Sequence, residues 1–171
     1  MVRYFVSADF ENKSIAIELQ KKFQSVECMR PVKMEQLHVT LLFYSDLSEE
    51  GIQELSAIIR RIQIKRFSAG IVGISGFPTE KRAGVGVILL QSEELMCLHD
   101  HLARNGPGGF DIKMFTPHVT VSRARRPCDI RSISSELGVK GSLTFTSVSL
   151  VSSKITREGA SHEIIERIQL M

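Results

Sequence analysis

Residues 37–43 read LHVTLLF, and residues 117–123 read PHVTVSR. Each places a histidine, and a threonine two positions later, inside an apolar run. The pairs are His38 with Thr40 and His118 with Thr120, in a chain that has only five histidines. On an extended strand residues i and i+2 project from one face about 6.5–7 Å apart, so each motif predicts an imidazole standing beside a hydroxyl. Strands favour β-branched residues, so one such pair is easily accidental. With five histidines and seven threonines in 171 residues, chance supplies roughly 0.2 pairs, and two with the same valine inside point to shared chemistry.

The alternation extends outward from the first motif. Leu37, Val39, Leu41 and Phe43 fall on one face, and His38, Thr40, Leu42 and Tyr44 on the other, which puts Tyr44 on the side of a ligand. Upstream, VRYFVSAD (2–9) reads as a strand, and Ile15, Leu19, Phe23 and Val26 recur as the stripe of an amphipathic helix. Downstream, Ser48 with Glu49 and Glu50 opens a helix whose inner face is Ile52, Leu55, Ile59 and Ile62. Strands are expected near 66–75 and 84–91, followed by a helix with Leu95, Leu98 and Leu102 inward. The glycine- and proline-rich NGPGGFDIKMFTP is a loop. After the second motif come a short helix over 129–137 and a closing hairpin of about 142–153 and 162–170. Both halves run strand, helix, His-x-Thr strand, helix, which suggests a duplicated βα unit.

Composition bounds the function. A length of 171 residues suits one domain with a real core. A net charge of +3 permits a polyanionic partner without making the chain a general nucleic-acid binder. Cys28, Cys97 and Cys128 are odd in number and widely spaced, so no disulfide framework is expected and a reducing cytoplasm is the simplest reading. No apolar stretch approaches the roughly 18 residues of a membrane helix. A monomer is expected.

An imidazole with a pKa near 6.5 can hold either protonation state at neutral pH. Two such groups across a cleft supply a base, an acid and two hydroxyls for an anion, which suits phosphodiester chemistry. The tetrads HVTL and HVTV are similar to those of the 2H phosphoesterase superfamily. The chain resembles in particular its RNA 2′,3′-cyclic phosphodiesterases, also called 2′-5′ RNA ligases. VRYFVSADF resembles that family's first strand, FTPHVTVSRARRP its second motif, and SVSLVSSKITREGASHEII its closing hairpin. The resemblance implies an α+β, LigT-like fold over residues 1–171: a single domain of two pseudo-symmetric lobes, whose antiparallel sheets face each other across a central cleft with helices outside.

The resemblance further implies hydrolysis of a terminal ribose 2′,3′-cyclic phosphate to a 2′-phosphate. His118 would be the base and His38 the acid, although motifs this alike also allow the reverse. Thr40, Thr120 and Arg123 would bind phosphate oxygens. Arg123 lies five residues after His118 and would face away on a regular strand, so a bulge or strand end near Ser122 is expected. Tyr44 would contact a base or ribose. RNA ending in a cyclic phosphate, including tRNA fragments, is the implied partner, and no metal or nucleotide cofactor is implied. The first motif continues as FYSDL where relatives often carry an aliphatic-Gly pair, and His162 stands where many have tyrosine; it is left outside the catalytic set. His99 and His101 diverge by about 200° on a helix and cannot chelate one metal. Arg123, Arg125 and Arg126 are the best candidates to hold an RNA backbone. Rival readings are 2′-5′ ligation at the same site, a non-catalytic binder of RNA ends, and a metallohydrolase using His38 and His118, which lacks acidic residues close in sequence to either motif.

Overall fold

The computed structural model describes residues 1–111, 114–134 and 141–171. Its strands are β1 (Val2–Phe10), β2 (Met29–Pro31), β3 (Val39–Tyr44), β4 (Phe67–Phe77), β5 (Ala83–Gln91), β6 (His118–Cys128), β7 (Ser142–Thr156) and β8 (Gly159–Gln169). The helices are α1 (Lys13–Gln20), α2 (Glu49–Arg60), α3 (Glu93–Asn105) and α4 (Arg131–Ser134). All strand pairings are antiparallel.

Six strands follow one another around a closed path, β1-β3-β6-β5-β4-β7 and back to β1, with β8 added to β7 and β2 to β6. The path has two weak joints. Between β3 and β6 the joint is the single pair Val39–Val119. Between β4 and β7 it is the short ladder from Phe67–Phe145 to Gly70–Ser142. The joints divide the strands into two antiparallel sheets, β3-β1-β7-β8 and β2-β6-β5-β4, and the motif strands β3 and β6 meet where the sheets touch.

Local sequence accounts for the helices. The Ser48 hydroxyl accepts from Gly51 N at 3.1 Å and starts α2, with Glu49 and Glu50 in its first turn. Ser92 does the same for α3 through Leu95 N at 3.1 Å. Leu55 and Ile59 of α2, and Leu95, Leu98 and Leu102 of α3, are buried as their spacing predicts. Each such side chain taken from water is worth about 1.5–3 kcal/mol. α1 is shorter than its stripe suggests: the chain tightens to a 3-10 turn over Lys21–Ser25, which still buries Phe23. Phe23 lies under β5, where a Cβ on Gly86 would overlap its ring. The expected helix over 129–137 is seen as α4, and residues 135–140 lie outside the described ones. The closing hairpin is longer and tighter than expected, running through Thr156 and resuming at Gly159. Among the described residues no helix is long and apolar enough to cross a membrane.

Cys28 and Cys128 lie side by side, with a Cα–Cα distance of 6.2 Å, a juxtaposition that cysteine number and spacing did not suggest. Pairing of β2 with β6, continued by Arg125 N donating to Cys28 O at 3.0 Å, closes a sequence gap of 100 residues that spacing alone cannot reveal.

Candidate active site

The site begins with two bulges. Along β1–β3 the pairs run Ser7–Thr40 and then Val6–Leu42, so Leu41 is an extra residue in β3. Along β5–β6 the pairs run Val87–Thr120 and then Gly86–Ser122, so Val121 is the extra residue in β6. Each bulge falls immediately after its threonine and reverses the facing of the residues beyond it. In β6 it is the irregularity that Arg123 requires, and Arg123 lines a cavity with His118 and Thr40. In β3 it has a consequence that strict alternation missed. Phe43 lines that same cavity, while Tyr44 is wholly buried, its hydroxyl donating to Pro107 O at 2.8 Å and its ring edge-on to Phe110. The expectation that Tyr44 meets a ligand is therefore corrected: it is a core residue, and Phe43 and Arg123 hold corresponding places five residues after the two histidines.

The bulges are pinned by helices from the opposite half of the chain. His99 of α3 donates through Nδ1 to Leu41 O at 2.7 Å and stacks on Phe115, with centroids 4.4 Å apart. Gln20 of α1 donates through Nε2 to Val121 O at 2.8 Å and to Val32 O at 2.8 Å. A buried carbonyl displaced from its ladder needs a donor, and these side chains supply it.

Both histidines are half-buried and anchored alike. His38 donates through Nδ1 to Gln36 O at 2.7 Å, and His118 through Nδ1 to Thr116 O at 2.7 Å. A carbonyl only accepts, so each bond puts the proton on Nδ1 and leaves the Nε2 lone pair available in the neutral ring. His38 Nε2 lies 3.0 Å from Thr40 Oγ1, which can donate to it. His38 is stacked on Phe5, with centroids 4.8 Å apart, and His118 meets Phe77 edge-on at 5.0 Å. Burial pushes His38 down to about 4, opposed by the Gln36 carbonyl and Asp9 and assisted by His162 and Lys13. Burial also lowers His118, opposed by the Thr116 carbonyl. Both rings are thus neutral at pH 7 in the free protein.

Val39 and Val119 are partners across the seam. Antiparallel continuation from that rung sets His38 toward Thr120 and Thr40 toward His118, a four-cornered arrangement around one backbone pair. Two cavities border these residues. One, of about 730 Å³, is lined by Thr40, Phe43, Phe77, Phe115, His118 and Arg123 among others. The other, of about 690 Å³, holds His38 with Asp9, Lys33, Arg157, His162 and Arg167. Thr120 is half-buried and lines neither.

This arrangement can be compared with known proteins. The family described as LigT like phosphoesterase matches residues 10–87, a span that includes His38 and Thr40. An RNA 2′,3′-cyclic phosphodiesterase of Aeropyrum pernix is 29% identical over 154 residues, covering 82% of this chain and 86% of that protein. Over residues 10–87 the chain is similar to the LigT-like phosphoesterases. The fold matches that of a Thermus thermophilus protein with a TM-score of 0.80 at 24% identity, covering 98% of this chain and 97% of the other. It also matches that of Escherichia coli LigT, solved in complex with ATP, with a TM-score of 0.73 at 22% identity, covering 99% and 97%. Among the described residues, no three His, Cys, Asp or Glu side chains are grouped to hold a metal ion.

Sequence reading missed several parts of the site. Asp9, Ser7, Ser147 and Ser149 come together through the pairing of β1 with β7, which no local pattern announces. His162 sits edge-on to Phe5, with centroids 5.1 Å apart, and 6.1 Å from the His38 ring, so it borders the site from β8. The bulge donors Gln20 and His99 carry no local sequence signature.

Proposed function

We propose that this protein hydrolyses the 2′,3′-cyclic phosphate at RNA ends, producing a 2′-phosphate through two histidines acting as base and acid. The observation carrying this reading is the twin arrangement at the Val39–Val119 rung, with each Nδ1 fixed on a carbonyl and each Nε2 left as the ring's proton-accepting atom. Water would lose a proton to His118 Nε2 as its oxygen attacks phosphorus. The P–O3′ bond breaks, and His38 Nε2 delivers its proton to O3′. His38 is neutral in the free protein, so its proton arrives with the cyclic phosphate, whose negative charge favours the imidazolium. Thr40, Thr120 and Arg123 would hold the non-bridging oxygens, Arg123 by the bidentate contact open to a guanidinium. No step of this scheme calls for a metal. The names of the curated relatives support the substrate class. The same reaction with an RNA 5′-hydroxyl in place of water would form a 2′-5′ linkage, with tRNA halves as substrates of that kind. The mirrored β-α-β units around the rung support reading the chain as one domain of two pseudo-symmetric lobes.

The test is turnover of adenosine 2′,3′-cyclic phosphate, and of a short RNA with the same end, in EDTA, with identification of the product isomer. Formation of 2′-phosphate by wild type, with losses of at least about a hundredfold in both His38→Ala and His118→Ala, supports the scheme. Binding of RNA ends without turnover would reduce the site to recognition.

A further inference from the structure

The backbones of the two motifs match, but their neighbouring strands do not. Beside β3, Ser7 is opposite Thr40 and Ala8 opposite Val39, so Asp9 is next in line with His38. Beside β6, Val87 is opposite Thr120, Ile88 opposite Val119 and Leu89 opposite His118. Asp9 and Leu89 therefore hold corresponding places, as do Ser7 and Val87. One histidine has a carboxylate as its cross-strand neighbour, and the other has a hydrocarbon.

Asp9 is built into its place. Its Oδ1 accepts from Ser7 Oγ at 3.1 Å, and its Oδ2 accepts from Ser149 Oγ at 2.9 Å and Ser147 Oγ at 3.2 Å. Arg167 approaches Oδ2 at 3.5 Å and donates through Nε to Ser149 Oγ at 2.8 Å. The carboxylate shares the cavity of His38.

We infer that Asp9 is a positioning residue for His38, whose fixed negative charge keeps the proton on the imidazole acting as general acid and so sets the direction of proton flow from His118 to His38. The inference rests on the two-histidine reading above. The charged and titratable groups around His38 are Asp9 from β1, Lys13 from α1, His162 and Arg167 from β8, Arg157 and Glu158 from the turn between β7 and β8, and Lys33 and Glu35 from the segment leading into β3. Lys13 donates to Leu37 O at 2.6 Å, the carbonyl next to the histidine. Cations thus surround this imidazole, and Asp9 is the opposing charge held in place by four polar partners. At His118 the corresponding residue is the hydrocarbon Leu89, so no carboxylate holds a proton on that ring and it stands ready to take one from water. After turnover His118 carries the extra proton and His38 lacks one; exchange with solvent restores both.

The test is Asp9→Asn, which keeps the shape and an accepting oxygen but removes the charge. With adenosine 2′,3′-cyclic phosphate, kcat should fall about 10- to 100-fold at pH 7.5 with KM within about threefold. The alkaline limb of the kcat profile, set by loss of the His38 proton, should move down by about one pH unit. Arg167→Gln removes a neighbouring cation and should move the same limb up. The titration of the His38 ring, followed by NMR in the 2′-AMP complex, should shift in the same two directions. That measurement needs no turnover, so it decides the role of Asp9 even if the cyclic phosphate proves not to be a substrate. A kcat loss with limb and titration both unmoved would make Asp9 merely structural. Movement of the acidic limb instead would exchange the histidines' roles. Either result overturns the inference.

Discussion

His38 and His118 share a local backbone down to the bulge one residue past each threonine, yet five residues on from each the chain carries Phe43 in one motif and Arg123 in the other. The side chains facing the rings differ in the same sense: Asp9, Ser7 and Arg167 around His38, against Leu89, Val87 and Phe77 around His118. The polar lobe suits a ring that must hold a proton. The apolar lobe suits one that must stay neutral, and there the positive charge for phosphate comes from Arg123 itself. On the proposed scheme, repeated backbone supplies paired geometry and divergent side chains split one chemistry into two roles.

The comparison breaks most directly at the rings. Each of His38→Ala and His118→Ala should cost about 10²–10⁴ in kcat. The double variant should be little worse than the poorer single, because groups acting in one step are not additive; single-turnover rates of all three would show whether the losses multiply. Next come the paired positions five residues on. Arg123→Ala should lower kcat about 10- to 100-fold with inorganic phosphate inhibition weakened in parallel, whereas Phe43→Ala should stay within about threefold in kcat and act on KM. Equal effects from the two, measured in one steady-state series, would erase the difference between the lobes.

Smaller effects are expected at the bulge anchors. His99→Ala and Gln20→Ala each strand a carbonyl and should cost about 1–3 kcal/mol in denaturant unfolding. Gln20→Ala should weaken phosphate binding through Arg123, and His99→Ala should not. The smallest effect is a stability slope. Above pH 6.5 both folded and unfolded His38 are neutral and its contribution is complete. As the pH falls toward the folded value of about 4, the unfolded chain takes up a proton that the folded one refuses, and stability declines. Thermal unfolding between pH 7 and pH 4 should be less steep in His38→Gln than in wild type.

Much of this was legible in the chain. Apolar spacing located α2 and α3 with their buried Leu55, Ile59, Leu95 and Leu102, and the two motifs identified β3 and β6. Tyr44 shows where such reading fails. Parity along a strand holds only while the ladder is regular, and the bulge at Leu41 depends on a carbonyl partner, His99, 58 residues away. The bulge before Arg123 was anticipated because an arginine in that place could reach the cleft only past an irregularity. Asp9 was missed because its value lies in being beside His38 across a strand pairing, and no local pattern announces the neighbours of a strand.

The two strands added outside the closed path, β8 and β2, have a consequence for how the molecule behaves among its own kind. Away from the two weak joints the strands of the path are paired on both sides, while the added strands present unpaired backbone on their outer sides. β2 is three residues long, and β8 bears Glu163, Glu166 and Arg167 along an exposed edge. A passing β-segment would have to bury those charges to zip on, and such edges discourage growth into aggregates during folding at high concentration.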